Sequence, residues 1–111
     1  MIEQYEFGKI VIHGKTYTSD IIILPDNTII SWWRNTGHNV INEDLEIVYH
    51  AKPNVLVLGC GAYGVMRVSN EVKTYCDENR IKLIMEKSKK AVELFNAEKS
   101  MSKAAGFHLT C

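Results

Sequence analysis

The stretch PNVLVLGCGAYG, Pro53 to Gly64, constrains the fold of this chain more than any other. Val55 to Leu58 is an unbroken aliphatic run bounded by Pro53 and Gly59. An apolar run without alternation marks a strand covered on both faces, and its shortness between Pro and Gly argues against a buried helix. It is expected to be the central strand. The loop that follows, Gly59, Cys60, Gly61, Ala62, Tyr63 and Gly64, spells Gly-x-Gly-x-x-Gly, the first half of the dinucleotide fingerprint. In a dinucleotide site, however, a helix starts within the glycine motif and holds the pyrophosphate at its N-terminus. Here the next helix cap is Ser69, several residues too late. Glu86 falls near the place of a ribose-binding acid, yet 111 residues leave no room for a second mononucleotide-binding half. The glycines are therefore read as tight-turn residues, and no cofactor is expected.

Around this strand the chain reads as a single α/β domain, residues 1–111. Phe7 to Ile12 is a strand, His13-Gly14 a two-residue turn, and Lys15 to Thr18 the return strand. Ile21 to Leu24, the turn Pro25-Asp26-Asn27 and Thr28 to Trp33 complete an N-terminal antiparallel β-meander. This meander either packs as its own layer or extends the parallel sheet. Asn42, followed by Glu43 and Asp44, caps a helix to about Ala51 that buries Leu45, Val48 and Tyr49. Val65 to Val68 is extended or irregular. Ser69 caps a helix with a stripe of Val72, Tyr75 and Cys76, which places Cys76 in the core. Ile81 to Met85 is a strand, Ser88 caps a third helix burying Ala91, Val92 and Phe95, and Lys103 to Cys111 ends in a short strand. Strand, helix, strand implies a crossover with Val55–Leu58 and Lys82–Met85 parallel.

Thirteen basic residues balance thirteen acidic ones, so no global positive field supports nucleic-acid binding. Lys87, Lys89 and Lys90 read as a solvated helix face. No apolar run reaches membrane-spanning length and no targeting segment opens the chain, so no membrane partner and a cytoplasmic location are expected. Cys60, Cys76 and Cys111 are odd in number and lack C-x-x-C spacing, consistent with reduced thiols.

Candidate metal ligands are His13, His38, His50, His108 and Cys111. The close pair His108 and Cys111 has odd spacing, which points strand residues to opposite faces, so no metal site is expected. Cys60 is a candidate nucleophile after a strand and among glycines, but it reads first as a small apolar residue packed at a strand end. Trp32 and Trp33 face opposite ways, one to the core and one outward. Trp33, Arg34, His38 and Tyr63 offer the side chains of an anion-accepting or protein-binding pocket.

The carboxyl ends of the parallel strands bring the Gly59–Gly64 loop and Glu86-Lys87 to one edge, where ligands of open α/β sheets bind. There the glycine amides suit an acidic group, Arg34 adds a contact if its loop folds over that edge, and Tyr63 is the anchor. The favoured reading is a non-enzymatic binding or assembly module for an unknown protein partner or a small anionic ligand, as a monomer or homodimer. The alternative is a small-metabolite enzyme using Cys60 or His38.

Four segments, FGKIVIHGKTYTSDIIILPD, SWWRNTGH, PNVLVLGCGAYGVMRV and HLTC, are spread along the chain from Phe7 to Cys111. In that order they resemble the domain-of-unknown-function family typed by a Methanothermobacter structural-genomics protein. That family includes the vertebrate adipogenesis-associated domain protein and a mitochondrial complex I assembly factor. The resemblance implies a three-layer α/β fold with a mixed central sheet and a separate β layer. It also implies an accessory or assembly role, with no settled catalytic motif or cofactor.

Overall fold

The structure, a computed structural model, describes residues 1–111. β1 (Ile2–Glu6), β2 (Lys9–Ile12) and β3 (Lys15–Tyr17) form a three-stranded antiparallel sheet. Alternation gives it one apolar face, with Ile2, Ile10 and Ile12 buried and Glu3, Gln4 and Glu6 exposed. The expected strand from Phe7 starts at Lys9 instead. Phe7 and Gly8 make the turn, with Gly8 at φ 78°. Beyond its hairpin with β2, β1 is tied down by a distant residue: Asn96 accepts the Ile2 amide at 3.1 Å and donates to the Ile2 carbonyl at 2.8 Å. The His13-Gly14 turn has φ of 50° and 77°, and the Glu3 carboxylate accepts both amides.

β4 (Ile21–Ile23) and β5 (Ile29–Ser31) leave this layer and join a second sheet with β7 (Val55–Cys60), β9 (Lys82–Glu86) and β10 (Lys103–His108). The meander therefore splits, three strands forming a layer and two extending the parallel sheet. The strand order is β5-β4-β10-β7-β9. β10 runs parallel to β7 and antiparallel to β4, while β7 and β9 pair in parallel from Val55 opposite Lys82 to Gly59 opposite Glu86. The middle strand is thus the C-terminal β10 and not the Val55–Leu58 run, which lies between β10 and β9.

Both faces of the five-stranded sheet are covered. Val55, Val57, Ala105 and Phe107 pack with Ile21 and Ile23 against α3 (Ser88–Ala97) and the N-terminal sheet. Leu56, Leu58 and Ala104 pack with Ile22 against Leu45 and Val48 and against Val72 and Cys76 of α2 (Asn70–Glu78). Consecutive residues of the apolar run feed opposite cores, which is why the run has no polar alternate.

The helix starts depart from expectation. The Asn42–Ala51 segment opens as a turn of 3-10 helix, Asn42–Leu45, before α1 (Glu46–His50). Asp44 rather than Asn42 does the capping, its carboxylate accepting the Ile41 amide at 3.0 Å, while Asn42 accepts the Tyr49 hydroxyl. Ser69 precedes α2, but its hydroxyl donates to the Val40 carbonyl at 2.7 Å. Ser88 lies inside α3, where its buried hydroxyl donates to the His108 carbonyl and accepts the Gly61 amide. The segment after the glycine loop contains β8 (Arg67–Val68), paired in parallel with β6 (Asn39–Val40).

Candidate functional site

Strands β7, β9 and β10 end side by side, and the glycine loop leaves β7 there. A Cβ at Gly59 would lie 2.6 Å from Phe107 Cδ1 and 2.9 Å from Ser88 Oγ, so glycine lets β10 and α3 close on β7. Gly61 has φ 99°, and a Cβ there would collide with the Cys111 backbone. Most of the loop amides are not left for a ligand. Gly61 donates to Ser88, Ala62 to the Thr110 carbonyl, Gly64 to the Gly61 carbonyl and Val65 to the Cys111 carbonyl. The chain's own tail takes the place expected for an acidic group.

Beyond the loop is an open cleft of about 300 Å³. Cys60, Met66 and Val68 line its inner part, and Tyr63, Gly64, Met85, Glu86 and Lys87 its outer part. Tyr63 is 68% exposed, and its ring centroid lies 6.0 Å from that of the exposed Phe7. The Cys60 thiol is buried and donates toward the Leu58 carbonyl at 3.8 Å. Burial, with the Glu86 charge adding to it, pushes this thiol above the ordinary cysteine range, the opposite of what activates a nucleophile.

Arg34 and His38 do not line the cleft. They belong to a second centre built on the Trp32-Trp33-Arg34 segment. Trp32 is buried with its indole N–H donated to the Asp44 carbonyl at 3.0 Å, and its ring lies over Gly106, where a Cβ would meet it at 2.8 Å. Trp33 is 78% exposed and lines neither centre. The Arg34 guanidinium stacks 4.5 Å from the Trp32 ring centroid, and its side chain is only 5% exposed. Its Nη2 donates to Asp20 Oδ2 and to the Gly37 carbonyl, both at 2.8 Å. The Nδ1 of His108 lies 2.7 Å from the same Asp20 oxygen, whose partner Oδ1 accepts the Leu109 amide at 2.9 Å. The exposed His38 ring meets His108 edge to face at 5.7 Å.

Burial alone would raise the Asp20 carboxyl, but hydrogen bonds from His108, the Leu109 amide and Arg34, together with the His108 charge, outweigh it and hold Asp20 below the ordinary carboxylate range. Three nitrogens in this cluster are buried and unpaired: Arg34 Nε, Arg34 Nη1 and His108 Nε2. Each such group costs about 1 to 3 kcal/mol in a protein interior. The sequence reading missed Asp20, an isolated acid with no motif around it, and took His108 only as a metal candidate. His13 contacts the N-terminal amine, His50 ends α1, and no three His, Cys, Asp or Glu side chains stand close enough together to hold a metal ion.

The family of proteins of unknown function DUF498/DUF598 matches residues 2–108. The chain belongs to this family. A conserved hypothetical protein of Pyrococcus horikoshii OT3 is 28% identical and superposes with a TM-score of 0.90, over 100% of this chain and 99% of that one. MT938 is 24% identical with a TM-score of 0.83, over 100% and 98%. An outer membrane protein of Bartonella henselae is 24% identical with a TM-score of 0.80, over 99% and 94%. At these identities the last two share the fold alone. No curated protein matches the chain in sequence. No helix of the chain is long and apolar enough to cross a membrane.

Proposed function

We propose that this family member is a non-enzymatic accessory or assembly module that binds a protein partner through the cleft beside the glycine loop. The observation that carries the reading is the exposed Tyr63–Phe7 aromatic pair at the mouth of that cleft, with Met85 also exposed along its wall. Aromatic and methionine side chains are enriched at protein interfaces and tyrosine at their hot spots, and Glu86 and Lys87 supply a charged rim of both signs. The glycine motif contributes shape, because the amides of Gly61, Ala62 and Gly64 are already paired. The enzymatic alternative on Cys60 is disfavoured by its raised thiol. The resemblance to the adipogenesis-associated protein and the complex I assembly factor supports the accessory role, and three free thiols support a reducing cytoplasmic setting.

Tyr63→Ala tests this directly. The melting temperature should stay within about 2 °C of wild type, as for a surface substitution, while capture of the native partner from lysate falls. Trp33→Ala, equally exposed but outside the cleft, should leave capture unchanged. Capture that survives Tyr63→Ala, or falls equally in both variants, places the partner surface elsewhere.

A further inference from the structure

We infer that Arg34, His108 and His38 form an oxyanion site, separate from the partner cleft, that takes a compact carboxylate or phosphate group. Arg34 Nε and Nη1 are donors with no lone pair to offer, so only an acceptor satisfies them. Stacking on Trp32 does not do so, because guanidinium N–H bonds lie in the plane of the group while the indole covers its face. Asp20 does not reach them: its Oδ2 pairs with Arg34 Nη2 and His108 Nδ1, and its Oδ1 accepts the Leu109 amide. Because Asp20 takes the Nδ1 side of the His108 ring, the unpaired Nε2 lies on the other side.

A metal cation is the wrong occupant. The one carboxylate of the cluster, Asp20, is already paired with Arg34 and His108, and two of the three unpaired nitrogens are donors only, with no lone pair for a metal. An oxyanion suits these donors, accepting from Arg34 in charge-assisted bonds and from the imidazole when it is protonated. None of the five clefts of the chain is lined by Arg34, His38 or His108, so an anion reaches these buried nitrogens by movement of the Arg34–His38 turn. That turn is held by the Arg34 to Gly37 hydrogen bond, and its exposed His38 ring packs edge to face on His108.

The test uses the full chain carrying Trp33→Phe, which leaves Trp32, in contact with Arg34, as the single indole. Inorganic phosphate and, in a separate arm, acetate are titrated at constant ionic strength with chloride, and Trp32 fluorescence and the thermal melt are followed. Saturation near or below about 1 mM is expected for at least one anion, and the responding arm tells phosphoryl from carboxylate. Arg34→Lys keeps the charge facing Asp20 but loses the planar donors and should weaken binding about tenfold. His38→Ala, at an exposed position, tests the same site should Arg34→Lys fail to fold, and should also weaken saturation. A response to neither anion at about fifty times that concentration, or one indifferent to the substitutions, overturns the inference.

Discussion

Asp20→Asn should be the most damaging near-isosteric change in this protein. Asparagine keeps the shape of aspartate, but one carboxylate oxygen becomes an NH2 that must face donors: the Leu109 amide on one side, or Arg34 and His108 on the other. Whichever way the amide turns, a hydrogen bond is lost and the guanidinium, 5% exposed, keeps its charge without a counter-ion. Removing one partner of a buried pair costs about 3 to 5 kcal/mol. Asp20 is itself 18% exposed, so the lower end applies. About 3 kcal/mol corresponds to a fall of about 12 °C in melting temperature for a domain of this size, and to about 2 M in the urea midpoint with an unchanged slope. Arg34→Met in the Asp20→Asn background should recover part of the loss, because it removes the stranded charge. The double-mutant cycle measures that coupling. The acid limb checks the same pair: a carboxyl held low in the folded state contributes stability that is full above its unfolded pKa and is lost as pH falls through the folded value, below about pH 4. Asp20→Asn should flatten that limb. A loss under about 1 kcal/mol, the range of an exposed ion pair, would refute the account of a dry cluster.

Gly61→Ala should cost at least about 2 kcal/mol, since it combines a positive φ with a Cβ pressed into backbone at Cys111; a urea midpoint equal to wild type would mean the tail moves freely. In native protein, Cys111 should label before Cys60 and Cys76, because it is partly exposed while burial raises Cys60 and pushes Cys76 up to about 11. Mass spectrometry after brief alkylation gives the order, and early labelling of Cys76 would overturn the α2 stripe.

The elements legible in the sequence were those whose burial is set by their own periodicity. Val55 to Leu58 declared a doubly covered strand, and the stripes of Val72 with Cys76 and of Ala91, Val92 and Phe95 declared the two helices, because each face is decided within a few residues. β1 was not legible, since a strand with Glu3, Gln4 and Glu6 outward is tied down by Asn96 far along the chain. The middle place of β10 was not legible either. Ala104, Ala105 and Gly106 carry little strand preference, and small residues there are explained only by what lies on them, Trp32 over Gly106.

The same insertion explains why the charge cluster escaped a motif search. Phe107 pairs with Ile21, so the next residue, His108, arrives beside the residue preceding β4, Asp20; Trp32 donates its amide to the Asp20 carbonyl, which delivers Arg34 to the same spot. Three residues spread from position 20 to 108 meet through strand order alone, and strand order leaves no local signature. His108 is also the register partner of Cys60, which lines the partner cleft, so the two centres sit about one strand spacing, ~5 Å, apart on adjacent parallel strands. That proximity dictates the choice of variants. Substituting Cys60 or His108 would disturb both centres at once, whereas the Tyr63 side chain lines the cleft alone and the His38 ring packs on His108 without lining the cleft. If the two readings are independent, Tyr63→Ala should leave anion saturation of Trp32 unchanged and His38→Ala should leave partner capture unchanged. Loss of both functions in either variant would mean that the cleft and the cluster act as one site.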